Sequence, residues 1–136
     1  MKKRYLALLL PLFAGCIKEK IEKKQENMVI QAVVNGQWKV TSFTKGSNDV
    51  TTQFSTYKFQ FRENRTVEAI NNGAVESTGS WDADADSKTI TTQFPTLAQP
   101  LVYFNGTWNI SSTTWTSVKA SLSTGGETSN LRLDKL

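Results

Sequence analysis

Between residues 35 and 136 the sequence repeats one pattern: short segments in which β-branched or aromatic residues alternate with polar ones. In the clearest segment, Tyr57, Phe59 and Phe61 share one face. A period of two is typical of a strand with one buried and one solvated face. No stretch has a helical period long enough to compete. Eight strands are predicted, at 36–45, 56–62, 65–71, 76–82, 88–94, 102–110, 114–122 and 128–135.

Turn signals join these segments as antiparallel neighbours. Glu63-Asn64 is short enough for a tight hairpin, and Asn72-Gly73 is a strong hairpin signal. The pattern predicts an all-β fold, an eight-stranded antiparallel up-and-down barrel over residues 35–136. Closure matters for a chain so rich in threonine, because a closed barrel leaves no strand edge to aggregate. A small two-sheet sandwich is the alternative.

The opening of the first strand, Gly36-Gln37-Trp38, resembles the Gly-x-Trp signature of the lipocalin barrel. The match is strongest with the short lipocalin-like domains of Bacteroidetes lipoproteins. The resemblance implies that Trp38 lies buried at a closed barrel end, covered by a basic residue of the last strand, here Arg132. It further implies binding of a small apolar or amphipathic ligand at the open end.

Meander order predicts which connections share that open end. Each hairpin switches ends, so the two longest connections, 46–55 and 95–101, both lie opposite Trp38. Long loops gathered at one end are typical of a binding mouth. The candidate ligand or partner contacts are Phe54, Tyr57, Phe59, Phe61, Phe94 and Leu97. The competing possibility is that the inward aromatics meet across the axis and fill it, which favours a protein-interaction or inhibitor module using the same loops.

Residues 1–15 are predicted to be a lipoprotein signal peptide. Lys2-Lys3-Arg4 is a positive n-region, followed by an apolar run of ten residues that is too short to cross a bilayer as a helix. The run ends Ala14-Gly15-Cys16, similar to a bacterial lipobox. This resemblance implies that Cys16, the only cysteine, carries the lipid anchor.

Residues 16–34 are predicted to be the lipidated cysteine and a flexible tether. The segment 17–27 is charged, lacks aromatics and is poor in apolar residues, which is typical of a solvated linker. Met28 to Val34 is mostly apolar and either begins the domain or packs beneath it. Ile17 stands where inner-membrane retention needs aspartate, so we expect an outer-membrane lipoprotein facing the periplasm or the cell surface.

Composition excludes several classes of function. Seven of the 16 basic and three of the 12 acidic residues precede residue 31, so the barrel segment holds nine of each. A nucleic-acid-binding surface would concentrate bases there, so we predict no nucleic-acid partner. With no histidine and one cysteine, the usual nucleophile–base pairs and zinc sites are absent from the sequence. We expect no enzyme activity and no cofactor.

Two further motifs have structural explanations. The alternating carboxylates Asp82, Asp84 and Asp86 are similar to the start of a calcium loop, but Ser87 follows where glycine is needed. A polar turn accounts for them, and no metal site is assigned. Four tryptophans would suit an accessory glycan-binding platform, the third function considered. Their predicted positions instead favour packing at the Trp38 end.

Overall fold

Nine strands form one antiparallel sheet in the computed structural model, which describes residues 29–136. The predicted signal peptide, Cys16 and the tether as far as residue 28 lie outside the described residues. The strands are β1 (Trp38–Lys45), β2 (Asn48–Asp49), β3 (Tyr57–Phe61), β4 (Thr66–Asn71), β5 (Ala74–Asp84), β6 (Thr89–Gln93), β7 (Gly106–Thr113), β8 (Ser117–Thr124) and β9 (Glu127–Lys135).

The sheet closes into a barrel. From β3 onward each strand pairs with the next, and β1 pairs with β9 from Trp38↔Lys135 to Lys45↔Ser129. The two-residue β2 only extends the β1 hairpin, so eight long strands make the wall. The predicted eight-stranded up-and-down barrel is confirmed.

One seam of the wall is not a strand ladder. β1 pairs with β3 only at Trp38↔Phe59, and beyond that point the two strands separate. The segment after β2 fills the gap: Val50 donates its backbone N–H to the Phe43 carbonyl at 2.9 Å, and Thr51 Oγ1 accepts from the Phe43 N–H at 2.8 Å. A 3-10 helix (Thr51–Phe54) then places the Phe54 ring parallel to Phe43, 5.2 Å between centroids.

The two barrel ends differ in their connections. The Trp38 end carries the turns after β3, β5 and β7. The loop end carries the 46–56 segment, the 94–105 segment and two tight hairpins. At one of these, Asn72 and Gly73 have φ values of +51° and +82°, the left-handed pair that a two-residue hairpin of type I′ requires. The predicted distribution of long loops is therefore confirmed.

Four predicted strands differ from the observed ones by two or more residues at an end, and those predicted at 36–45 and 114–122 begin later, at Trp38 and Ser117. The strand predicted at 76–82 runs longer, from Ala74 to Asp84. The strand predicted at 102–110 begins only at Gly106, because Leu101–Phe104 form a second 3-10 helix. That helix buries Leu101 and Phe104 three residues apart, a spacing that one turn of helix brings to a single face.

Residues 29–34, assigned to the tether from sequence, are helical and cover the Trp38 end. Ala32 and Val33 are buried, and Val29, Ile30 and Val34 pack against the core. Trp38 Nε1 donates to the Val33 carbonyl at 2.8 Å. We call this segment the capping helix.

Candidate functional site

Aromatic side chains fill the interior at the loop end. Phe104 lies at the centre: its ring centroid is 4.5 Å from Phe59, 5.5 Å from Phe54, 5.8 Å from Phe43 and 6.4 Å from Phe94. All five rings are buried. We call them the aromatic plug. The plug occupies the place where the sequence predicted a mouth.

Hydrogen bonds fix the plug from the 94–105 segment. The Phe104 carbonyl accepts from Trp108 Nε1 at 2.9 Å and from Thr92 Oγ1. The Asn105 side chain spans the segment, accepting from the Phe94 N–H at 2.7 Å and donating to the Phe94 carbonyl at 3.2 Å. Buried polar groups that are satisfied in this way hold one conformation. The plug is therefore part of the folded core.

Little space remains inside the barrel. A void of about 20 Å³ lies between Trp38, Thr92, Trp108 and neighbouring aliphatic side chains. Such a volume holds about one water molecule. This void, as residues 29–136 form it, has no room for an organic ligand.

The predicted contact residues divide accordingly. Phe54, Phe59, Phe61 and Phe94 are at most 2% exposed and lie in the core. Phe54, Phe59 and Phe94 meet in the aromatic plug, which corrects the expected open mouth there, whereas Phe61 packs edge-on against Trp81 with ring centroids 5.6 Å apart. Tyr57 is also buried, but its hydroxyl reaches a surface cleft. Leu97 is the exposed member of the set, at 85%.

At the opposite end Trp38 is fully buried, as predicted, but Lys135 covers it instead of Arg132. Lys135 Nζ lies 4.9 Å from the Trp38 ring centroid, whereas the Arg132 guanidinium pairs with Asp134 at 2.9 Å on the outer face. Strand alternation is the reason, since Leu131 and Leu133 face inward and Arg132 must face outward. Lys135 has the inward parity. The inward position of Lys135 can be read from the sequence, because Lys135 is two residues after the inward-facing Leu133.

Asp134 and the acidic turn illustrate how the outer carboxylates are used. Arg132 and the Thr41 hydroxyl hold the pKa of Asp134 below its usual value by hydrogen bonding to it. Asp84 Oδ1 accepts from the backbone N–H of Asp86 at 2.9 Å, which closes the turn after β5.

Residues 29–136 contain no cluster of three or more potential metal ligands. Within that range, no helix is long and apolar enough to span a membrane.

The first of two surface sites lies at the Trp38 end, between the capping helix and the ends of β5, β6 and β7. Its volume is about 240 Å³ and its walls are mainly apolar, from Val29, Ala83, Ala85 and Ile110. We call it the Trp38-end groove. Asp84 and Lys88 supply opposite charges, and Ser111, Ser112 and Thr113 supply hydroxyls.

A bulge in β7 shapes this groove. The register with β8 shifts between Ile110 and Ser112, and Ser111 Oγ donates to the Lys119 carbonyl at 3.2 Å. Bulges bend a strand and redirect side chains, often beside binding sites. Thr113 Oγ1 is buried and has no hydrogen-bond partner among residues 29–136. Sequence reasoning missed this groove, because a bulge in a serine- and threonine-rich strand leaves no clear signature.

The second site, the loop-end cleft, has a volume of about 260 Å³ and lies between β5 and the 94–105 segment. Tyr57, Glu76, Ser77, Thr96, Ala98, Gln99 and Leu101 line it. Glu76 accepts from the Tyr57 hydroxyl at 2.5 Å and from Asn71 Nδ2 at 3.0 Å. Burial, together with the adjacent Glu76 carboxylate, raises the pKa of Tyr57 to about 12. The phenol therefore stays a donor to Glu76 at neutral pH.

Exposed apolar residues mark both ends. Val75 and Leu97 are sequence neighbours of residues that line the loop-end cleft. Trp115 and Leu136 lie at the Trp38 end. The other three tryptophans, Trp38, Trp81 and Trp108, are buried. The described chain therefore presents one half-exposed tryptophan, which is not a multi-ring platform for sugars.

Comparison with known proteins supports the fold. A DUF4847 family protein from Bacteroides vulgatus, solved as a crystal structure, superposes with a TM-score of 0.55 at 13% sequence identity, covering 78% of this chain and 96% of that one. No family model matches the sequence, and no curated protein matches it. The structural likeness, at this identity, shows a shared barrel fold that fits the lipocalin-like prediction.

Proposed function

We propose that this protein is a membrane-tethered, non-enzymatic binding protein that takes a small amphipathic molecule in the Trp38-end groove. One contrast carries the proposal: the void between Trp38, Thr92 and Trp108 measures about 20 Å³, whereas the groove offers about 240 Å³ with mainly apolar walls. Sites for drug-sized ligands have volumes of about 300–1,000 Å³. The groove is matched to a smaller molecule, or to one part of a longer one.

The chemistry of the groove selects an amphipathic ligand. Val29, Ala83 and Ile110 provide the surface that an alkyl or aryl group would leave water to reach. Lys88 and Asp84 lie at the same site, so a ligand head group meets both signs of charge. A free hydroxyl at Thr113 would gain a partner from a polar ligand atom after a small side-chain rotation.

The tether supports a location in the cell envelope. The lipobox-like run before Cys16 and the charged segment after it favour acylation and attachment to the outer membrane. The described chain enters at the capping helix, beside the groove. The predicted tether would therefore join the barrel at the end that holds the groove.

Binding of anilinonaphthalene sulfonate, an amphipathic fluorophore, tests the groove. The parent protein should enhance its fluorescence in the native state, and Ala85→Phe should abolish the enhancement by filling the groove. Ala74→Phe is the matched control, because Ala74 is an exposed alanine in a hairpin at the loop end. Equal binding by both variants would place the probe elsewhere and reject the groove.

A second function is favoured by the exposure of Leu97 at 85% and Val75 at 53%. A protein-interaction module using the loop end would bury both side chains against its partner. Leu97→Ser should then weaken complex formation and leave the fluorophore bound in the groove. The two candidate functions are separated by this pair of measurements.

A further inference from the structure

The carboxylate of Glu76 has no ion-pair partner among residues 29–136. The four salt bridges of that range join Lys45 to Glu127, Arg62 to Glu68, Arg65 to Asp82 and Arg132 to Asp134. In each of these four pairs, a carboxylate oxygen lies within 3.3 Å of a lysine or arginine nitrogen. Glu76 instead lies in the loop-end cleft with neutral neighbours.

The Glu76 carboxylate is nevertheless held in place. Tyr57 donates to Oε2 and Asn71 donates to Oε1, so each oxygen has one neutral donor and keeps further acceptor capacity. Asn71 is in turn fixed by the Thr56 hydroxyl, which donates to its Oδ1 at 2.6 Å. A charged group oriented by neutral donors is preorganised to receive a cation, because the ligand need not order it.

The remainder of the cleft suits the body of an organic cation. Ala98 gives apolar surface, while Ser77, Thr96 and Gln99 offer oxygen acceptors for further N–H groups. None of the residues lining the cleft is basic. The single formal charge in the cleft is therefore negative.

We propose that the loop-end cleft binds a small organic cation, with an ammonium or guanidinium group on Glu76 and an apolar group against Ala98. Charge-assisted hydrogen bonds from the cation to the carboxylate supply the specificity. The site is separate from the Trp38-end groove and lies at the opposite end of the barrel. It stands or falls independently of the function proposed for that groove.

Titrations of the full chain with four probes of similar size test the proposal. The probes are hexylammonium, phenylguanidinium, hexanol and hexanoate. Binding of each probe is followed by the chemical shifts of the backbone amides. Hexylammonium or phenylguanidinium should shift the amides of Ser77 and Gln99, and whichever shifts them more identifies the head group. Hexanoate should not bind. If hexanol shifts the same amides with equal affinity, the cleft is a purely apolar site and the proposal fails.

Substitutions separate the charge from the shape of the cleft. Glu76→Gln keeps the size of the side chain and removes its charge, so affinity for the cation should fall about tenfold or more. Glu127→Gln is the control, since Glu127 is also a loop-end acid but is paired with Lys45. Tyr57→Phe should weaken binding to a smaller degree by freeing the carboxylate. Unchanged affinity in Glu76→Gln would overturn the assignment.

Discussion

Lys135 joins the last strand to the capping helix through Trp38: its Nζ lies 4.9 Å from the Trp38 ring centroid and donates to the Ala32 carbonyl at 3.1 Å. The same indole donates to the Val33 carbonyl. One lysine and one tryptophan thus satisfy two carbonyls of the helix end. The covering that the lipocalin resemblance assigned to Arg132 falls to a residue three positions later.

We predict that Lys135→Met destabilises the protein by about 1–2 kcal/mol, because it removes the cation over the ring and the donor to Ala32. Arg132→Met should lose less than about 1 kcal/mol, since its ion pair with Asp134 is on the surface. Urea unfolding followed by tryptophan fluorescence measures both. Equal losses of unfolding free energy in the two variants would mean that the lysine over Trp38 contributes no more than the surface ion pair of Arg132.

Trp38→Ala should have a larger effect than either change. Truncating a fully buried indole costs roughly 3–5 kcal/mol through lost burial and the cavity left behind. Trp115→Ala, at the half-exposed turn tryptophan, is the matched comparison and should stay near the parent. A melting temperature unmoved by Trp38→Ala would contradict the observed packing of this end.

Phe104→Ala should remove about 3–5 kcal/mol of unfolding free energy, because Phe104 touches most of the aromatic plug. Its cavity is lined by rings and should bind benzene, as engineered apolar cavities do. Val102→Ala, a partly buried neighbour on the same 3-10 helix, should lose less stability and bind no benzene. Calorimetry with and without benzene distinguishes the two variants.

Gly79→Ala is expected to strain the β5–β6 wall. A Cβ at Gly79 would overlap the carbonyl oxygen of Gln93 and come within 3.0 Å of Phe94 Cδ1. Backbone atoms cannot rotate away, so overpacking of about 1–3 kcal/mol is expected. The exposed neighbour Ser80→Ala should be nearly neutral by the same denaturation assay. A stabilised Gly79→Ala would show that the wall relaxes freely.

Tyr57 should titrate above the ordinary range of a tyrosine, because its phenol is partly buried and lies beside Glu76. Its folded pKa is raised to about 12 from 10, so the associated stability is fully present below pH 10 and is lost as pH rises through about 12. Tyrosinate absorbance should show this late step in the parent and not in Tyr57→Phe. Glu76→Gln should move the step earlier without restoring the ordinary pKa, because burial is its largest cause.

Acylation of Cys16 is the prediction on which the location depends. Mass spectrometry of the membrane fraction should find a lipid-modified cysteine at the mature N-terminus. Cys16→Ala should release the protein from the membrane. A mature membrane-bound chain that retains residues 1–15 would exclude this mode of attachment.

Much of the wall could be predicted from sequence, because strand alternation and hairpin chemistry act locally. Tyr57, Phe59 and Phe61 lie in a strand, and Asn72-Gly73 forms the expected turn. The 3-10 helix at Leu101–Phe104 was missed, since a short apolar run fits either a strand or a helical turn. This short helix determines how the interior is filled, because it supplies Phe104, the central ring of the aromatic plug.

The candidate sites were harder to predict for a geometric reason. Alternation says that Phe59 and Phe94 face inward, but it does not say whether opposing rings leave a gap. That gap depends on barrel radius and on which loop residues turn in. Likewise Glu76 and Gln99 are distant in sequence and meet only because the 94–105 segment returns across β5. Neither the filled interior nor the loop-end cleft can be predicted from a local sequence pattern.

The weak pairing of β1 with β3 has a consequence for biosynthesis. As the chain emerges from its N-terminal side, β1 has one backbone pair with β3 and waits for its long ladder with β9, the last strand to appear. Loop closure over so much chain is entropically costly, and open strand edges attract other chains meanwhile. Barrel assembly is therefore a late event, completed only after export or synthesis has delivered the whole domain. Removing β9 should yield an aggregating chain rather than a smaller barrel.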